Sequence, residues 1–164
     1  MKLLPLLLLL PFLSLAQEKP GSENYQTILR LDSLVFEEGF NKCNYKALEQ
    51  VLDTGLVFLH DVAGAQDYKG FFEATKKNIC GNPNGKPLRK RVDGSLEVYP
   101  LYNNNVLYGL IQSGQHDFYF KEPGKPEVRT GTAKYIHTWL LKEGKWKLVN
   151  VLSIDHKAAG PIAD

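Results

Sequence analysis

Two apolar runs late in the chain, Ala133–Leu141 and Trp146–Ile154, flank Glu143-Gly144, a pair resembling the Asp-Gly of tight β-hairpins. A turn there pairs Lys142 with Lys145, Leu141 with Trp146, Trp139 with Leu148, His137 with Asn150 and Tyr135 with Leu152. Strand side chains alternate, so those residues share one face. Ile136, Thr138, Leu140, Val149 and Val151 take the other. Both faces are mostly apolar, so something covers each. The face with His137, Trp139, Trp146 and Asn150 is the expected pocket wall.

The earlier pattern is helical. Ile28, Leu31, Leu34 and Val35 recur near helical spacing between Asn24 and Cys43. Asn44 can cap a short second helix, Tyr45 to Leu52. Leu56–His60 is β-rich, Asp61–Asp67 reads as a loop, and a third helix runs from Lys69 to Ile79 with Gly81 placed to end it. After the Asn82-Pro-Asn-Gly turn come strands near Leu88–Val92, Ser95–Leu101, Asn105–Phe120, Arg129–Lys142 and Lys145–Asp155, with Gly114 as a bulge candidate. Helices ahead of an antiparallel sheet define the α+β class.

The N-terminus bears on compartment. Lys2, the apolar run Leu3–Leu15 and Ser14-Leu15-Ala16 describe a secretory signal peptide cleaved after Ala16. The run is short and proline-interrupted for a membrane span, and no later stretch reaches ~20 apolar residues. The expectation is a secreted or periplasmic protein without a membrane anchor. A flexible linker covers 17–23, one domain covers 24–156, and 157–164 forms a loose tail. In an oxidising compartment the two remaining cysteines, Cys43 and Cys80, are expected to form a disulfide.

Charge excludes one partner class. The formal charge of +2 includes Lys2, so the processed chain is near neutral. The cationic cluster Lys86–Arg91 lacks interleaved aromatics and reads as a solvated edge strand. Nucleic acid is not an expected partner. There is no GxGxxG, phosphate loop, GxSxG elbow or CxxC, so no cofactor is expected. Three of four histidines neighbour an aspartate, in His60-Asp61, His116-Asp117 and Asp155-His156. None has tight ligand spacing, and no metal site is expected.

The element order, together with Phe40-Asn-Lys-Cys-Asn-Tyr-Lys-Ala-Leu48, Leu56-Val-Phe-Leu-His-Asp-Val-Ala-Gly64 and Gly144-Lys-Trp-Lys-Leu-Val-Asn-Val-Leu-Ser153, resembles the superfamily of nuclear transport factor 2, ketosteroid isomerase and the SnoaL-like cyclases. The resemblance covers nearly the whole processed chain. It implies a cone of three N-terminal helices packed in one strongly curved antiparallel sheet around a pocket, and homodimers through the sheet's other face. Ketosteroid isomerase has a general-base aspartate in the loop after its first strand, which the resemblance places at Asp61. Its protonated-acid donor falls on His137, and its tyrosine donor falls on Phe36, which cannot donate.

A fold alone does not assign an activity, and two readings follow. The first is a small exported domain whose pocket, lined by Phe36, Phe40, Trp139 and Asn150, binds a small apolar molecule without catalysis. The second is an isomerase-, dehydratase- or cyclase-like enzyme, with Asp61 as base and His137 as hydrogen-bond donor. A one-residue slip at the end of the first strand would present His60 instead of Asp61.

Overall fold

The computed structural model describes residues 17–160; the expected signal peptide and the last residues of the expected tail lie outside them. Helix α1 (Glu23–Asp32) starts where Ser22 Oγ accepts the Tyr25 N–H, and it continues as a π-helical stretch, Ser33–Asn41. Helix α2 (Tyr45–Val51) carries the expected Asn44 cap, whose Oδ1 accepts from Ala47 N. Strand β1 (Leu52–His60) and a short β2 (Gly64–Asp67) form a hairpin over the segment expected to be a loop. Asp67 caps α3 (Tyr68–Ala74), and a π-helical stretch, Thr75–Cys80, prolongs it. The remaining strands are β3 (Lys86–Arg91), β4 (Glu97–Asn103), β5 (Val106–Lys121), β6 (Val128–Lys142) and β7 (Lys145–Ala158).

These strands form one sheet in the order β2-β1-β7-β6-β5-β3, with β4 also on β5. The sheet is mixed, which corrects the all-antiparallel expectation: β1 and β7 run parallel, and every other pair is antiparallel. Helix α3 and its π-helical extension, with the strands that follow, separate β1 from β7, so β1 can lie beside β7 in the same direction. The helices cover the concave face. Ile28, Val35, Leu48, Leu56, Leu110, Trp139 and Leu148 form the centre of the core there, nearly or completely without solvent.

The Glu143-Gly144 turn forms as expected, both residues having positive φ (51° and 73°), and Lys142 pairs with Lys145. Leu141–Trp146 and Trp139–Leu148 follow. A β-bulge then shifts the register: Thr138 pairs with Asn150, His137 with Val151 and Tyr135 with Ser153. The extra residue moves the β7 side chains from Asn150 to Ile154 to the other face. Val151 and Ser153 therefore face the core, while Asn150 moves to the convex face.

Cys43 and Cys80 form a disulfide, Cα atoms 5.9 Å apart, joining the ends of the two π-helical stretches. The bond fits an oxidising compartment. No helix among the described residues is long and apolar enough to cross a membrane. The two ends of the domain are more ordered than expected. Glu18 N donates to Val98 O in the segment read as a linker, and β7 carries Lys157 and Ala158 into register with Thr132 and Gly131.

Candidate functional site

A cavity of about 290 Å³ lies between the helices and the concave face. Its walls are mostly apolar, with Phe36 and Phe40 from the first π-helical stretch, Phe71 from α3, Phe58 from β1 and Phe118 from β5. Three histidines also line it: His60, His116 and His137. Strand alternation puts them there, since His60 is in step with Leu56 and Phe58, His116 with Gln112, and His137 with Tyr135 and Trp139.

A buried polar network behind the wall fixes which nitrogen of His116 and of His137 carries the proton. Arg89 and Asp32 form a buried ion pair, Nη1 to Oδ2 2.9 Å and Nη2 to Oδ1 3.2 Å, a forked contact typical of arginine with a carboxylate. Gln112 Nε2 donates to Asp32 Oδ1 at 2.7 Å, and Trp139 Nε1 donates to Gln112 Oε1 at 3.0 Å. A carboxylate only accepts and an indole N–H only donates, so the amide orientation is set. His137 Nδ1 lies 3.2 Å from the same Oε1 and must carry the proton. The other nitrogen, Nε2, is then a bare acceptor. It is buried without a hydrogen-bond partner among the described residues.

His116 has the opposite arrangement. Arg89 Nε donates to His116 Nδ1 at 3.1 Å, so the neutral ring carries its proton on Nε2. This N–H is also buried, without a hydrogen-bond partner among the described residues. Burial, followed by the nearby Arg89 charge, pushes the His116 pKa down to about 2 and holds His137 well below the usual histidine range. Both rings stay neutral. Two rings that line the cavity thus carry, among the described residues, one unpaired imidazole acceptor and one unpaired imidazole donor.

Phe36 occupies the position where the resemblance implied a tyrosine donor. Its ring stacks on His137 (centroids 5.5 Å apart, planes at 16°), and the Arg89 guanidinium carbon lies 3.8 Å from the ring centroid. Arg89 thus corrects the picture of Lys86–Arg91 as a solvated strand. The strand is an edge, but its fourth residue turns inward and is buried.

Of the site residues read from sequence, Phe36, Phe40 and His137 line the cavity. Trp139 is fully buried behind it, held by Gln112. Asn150 is carried to the convex face by the bulge. Asp61 is not a wall residue. It follows the end of β1, where alternation presents His60 inward, and its carboxylate lies 2.5 Å from His156 Nδ1. The structure therefore does not bring Asp61 and His137 together as a base–donor pair, and the fixed tautomer makes the unpaired nitrogen of His137 an acceptor.

Asp61 instead belongs to a second cluster at the cavity's edge. His156 N–H donates to Asp61 Oδ2 at 3.2 Å, and the His60 and His156 rings stack with centroids 4.2 Å apart. His60 Nδ1 accepts from Val62 N and Ala63 N, which leaves the proton on Nε2. These three groups have ligand-type atoms within 4.8 Å of one another and are the residues that could hold a cation. However, Asp61 and a nitrogen of each ring are already engaged within the protein.

No protein-family model matches the chain, and no curated protein matches it. Solved structures do. An NTF2-like protein from Cytophaga hutchinsonii aligns over 80% of this chain and 98% of its own, at 14% identity and TM-score 0.60. Hexachlorocyclohexane dehydrochlorinase LinA-type3 from Novosphingobium barchaimii aligns over 84% and 90%, at 13% identity and TM-score 0.62. The CaMKII hub homology domain of Chlamydomonas reinhardtii aligns over 85% and 99%, at 14% identity and TM-score 0.60. The similarity spans an enzyme and a hub domain, so it carries architecture and not activity. With three helices held in a curved mixed sheet and these structures aligned along most of its length, the chain has the nuclear transport factor 2-like fold.

Proposed function

We propose that this protein is an exported domain that binds one small, mostly apolar molecule carrying a hydroxyl group in the cavity of the cone. The observation that supports this reading most is the unpartnered pair of imidazole nitrogens, His137 Nε2 as acceptor and His116 Nε2–H as donor. Buried polar groups are nearly always satisfied, and leaving one unsatisfied costs ~1–3 kcal/mol. A hydroxyl is the smallest group that can donate to one nitrogen and accept from the other. The cavity lies near the lower end of ligand-sized pockets, ~300–1,000 Å³, which favours a ligand of one or two rings.

The test compares 2-naphthol with naphthalene by calorimetry. The hydroxyl is expected to tighten binding roughly fivefold, corresponding to one net hydrogen bond of ~1 kcal/mol. His137→Phe should abolish that preference while naphthalene still binds. Equal affinity of both compounds in every variant, or binding of neither, contradicts the reading.

Homodimerisation belongs to the same proposal. The convex face carries exposed Val57, Leu59, Ile136 and Ile154, four apolar residues on neighbouring strands. One relative in fold is a hub homology domain. A second copy of this chain would cover that face.

A further inference from the structure

We propose that Ser153, His156 and Asp61 form a nucleophilic serine site at the edge of the cavity, able to carry out acyl transfer on small esters. This goes beyond ligand binding, because it assigns chemistry to a cluster separate from the His116–His137 pair.

The backbone explains why these residues meet. Three residues apart on a regular strand, Ser153 and His156 would face opposite sides. Between Ile154 and Lys157, however, β7 has a second bulge, with Asp155 at φ 58°. The extra residue brings His156 back to the face that Ser153 occupies. Asp61 is held opposite, its backbone N–H donating to Ser153 O at 3.1 Å.

The roles follow from hydrogen-bond chemistry. Asp61 Oδ1 lies 2.5 Å from His156 Nδ1, and a carboxylate there places the proton on Nδ1. Nε2 is left with its lone pair, 3.4 Å from Ser153 Oγ. Among the described residues that hydroxyl has no other hydrogen-bond partner, and Ser153 is a wall residue of the cavity. The order carboxylate, imidazole, hydroxyl is recognised by geometry and role, independently of sequence position.

Ser153 Oγ attacks the ester carbonyl carbon while its proton passes to His156 Nε2. The tetrahedral intermediate expels the alcohol, which takes that proton, and an acyl-Ser153 remains. Water then attacks the acyl carbon, gives its proton to His156, and releases the acid and free Ser153 as the proton returns. His60 is the cross-strand partner of Ser153, lines the same cavity and carries its proton on Nε2. It is the donor available to a developing oxyanion. Burial first, then the neighbouring His156, lowers the His60 pKa, which keeps it neutral beside a transient His156 cation.

The test treats the full-length processed protein with diisopropyl fluorophosphate and maps the adduct by peptide mass spectrometry. The expected result is a single adduct on Ser153. Its rate of formation should fall roughly 100-fold in His156→Gln and at least about tenfold in Asp61→Asn, with each variant's thermal midpoint checked against wild type. The two variants act at different positions, so either one that folds decides the question. No adduct on Ser153, or the same labelling rate in the folded variants, overturns the proposal. Scoring 2-naphthol binding in parallel separates the two ideas. Binding without labelling sinks the serine site alone, and labelling without binding sinks the cavity reading alone.

Discussion

Lowering the pH from 7 to 5 should destabilise this protein through two buried rings. His116 and His137 are almost without solvent, and burial with the Arg89 charge keeps both neutral. On unfolding each returns to a value near 6.5 and takes up a proton. The folded pKa values are depressed, so the unfolded state binds more protons below pH 6.5. Stability is complete above that value and is lost as pH falls through it. Each ring contributes ~1.4 kcal/mol per pH unit well below 6.5 and ~1.9 kcal/mol between pH 7 and 5, or ~4 kcal/mol for both. That is a large share of a typical ~5–15 kcal/mol. His60, also lowered, adds in the same direction. The surface carboxylate pairs do not cloud this window, because Asp53 and Asp117, held below the usual carboxylate range by Lys142 and Arg129, contribute only as pH approaches 3.8. Urea unfolding at half-unit pH steps would measure the slope. His137→Phe keeps the stack on Phe36 and leaves Gln112 its bond from Trp139. Its slope near pH 5 should be ~1.4 kcal/mol per unit shallower than wild type. Parallel pH curves would refute the claim that His137 is a neutral, buried ring.

Reducing the Cys43–Cys80 bond, which closes a separation of 37 residues, should cost ~4 kcal/mol in the chain-entropy view, seen as a lower urea midpoint for Cys43→Ala/Cys80→Ala. Asp32→Ala leaves Arg89 buried without its partner and should cost ~3–5 kcal/mol by the same assay, whereas Asp155→Ala, which removes surface ion pairs to Lys134 and Lys157, should cost under ~1 kcal/mol. Ile136→Glu places a charge in the exposed convex patch and should shift sedimentation of a dimer toward monomer at micromolar concentration.

Much of this fold was legible from local pattern. Periodicity marked the helices, Asn44 marked a cap, and the Glu143-Gly144 turn set the first pairings of the last hairpin. The site was less legible because it depends on two bulges in β7. Nothing in Leu148-Val-Asn-Val-Leu-Ser153 says that Val149-Asn150 will oppose a single residue. The simple register therefore sent Asn150 inward and Val151 outward. The second bulge, at Asp155, hid the approach of His156 to Ser153. Gly114, a bulge candidate, instead keeps register with Tyr135, and glycine is required there because a Cβ would lie 2.7 Å from the tyrosine hydroxyl. Arg89 and Asp32 were missed for another reason. Charged residues rarely point inward, and only their pairing across 57 residues makes burial tolerable. His116 carried a usable signal: it shares strand parity with Gln112, which pairs with His137.

The most direct test of the cavity is the protonation pattern of its two histidines, read by ¹⁵N imidazole resonances at pH 7 with and without 2-naphthol. Two neutral rings in opposite tautomers are expected, His137 protonated on Nδ1 and His116 on Nε2, with both Nε2 resonances shifting when 2-naphthol is added. Identical tautomers, a charged ring, or Nε2 signals unmoved by saturating 2-naphthol would contradict it.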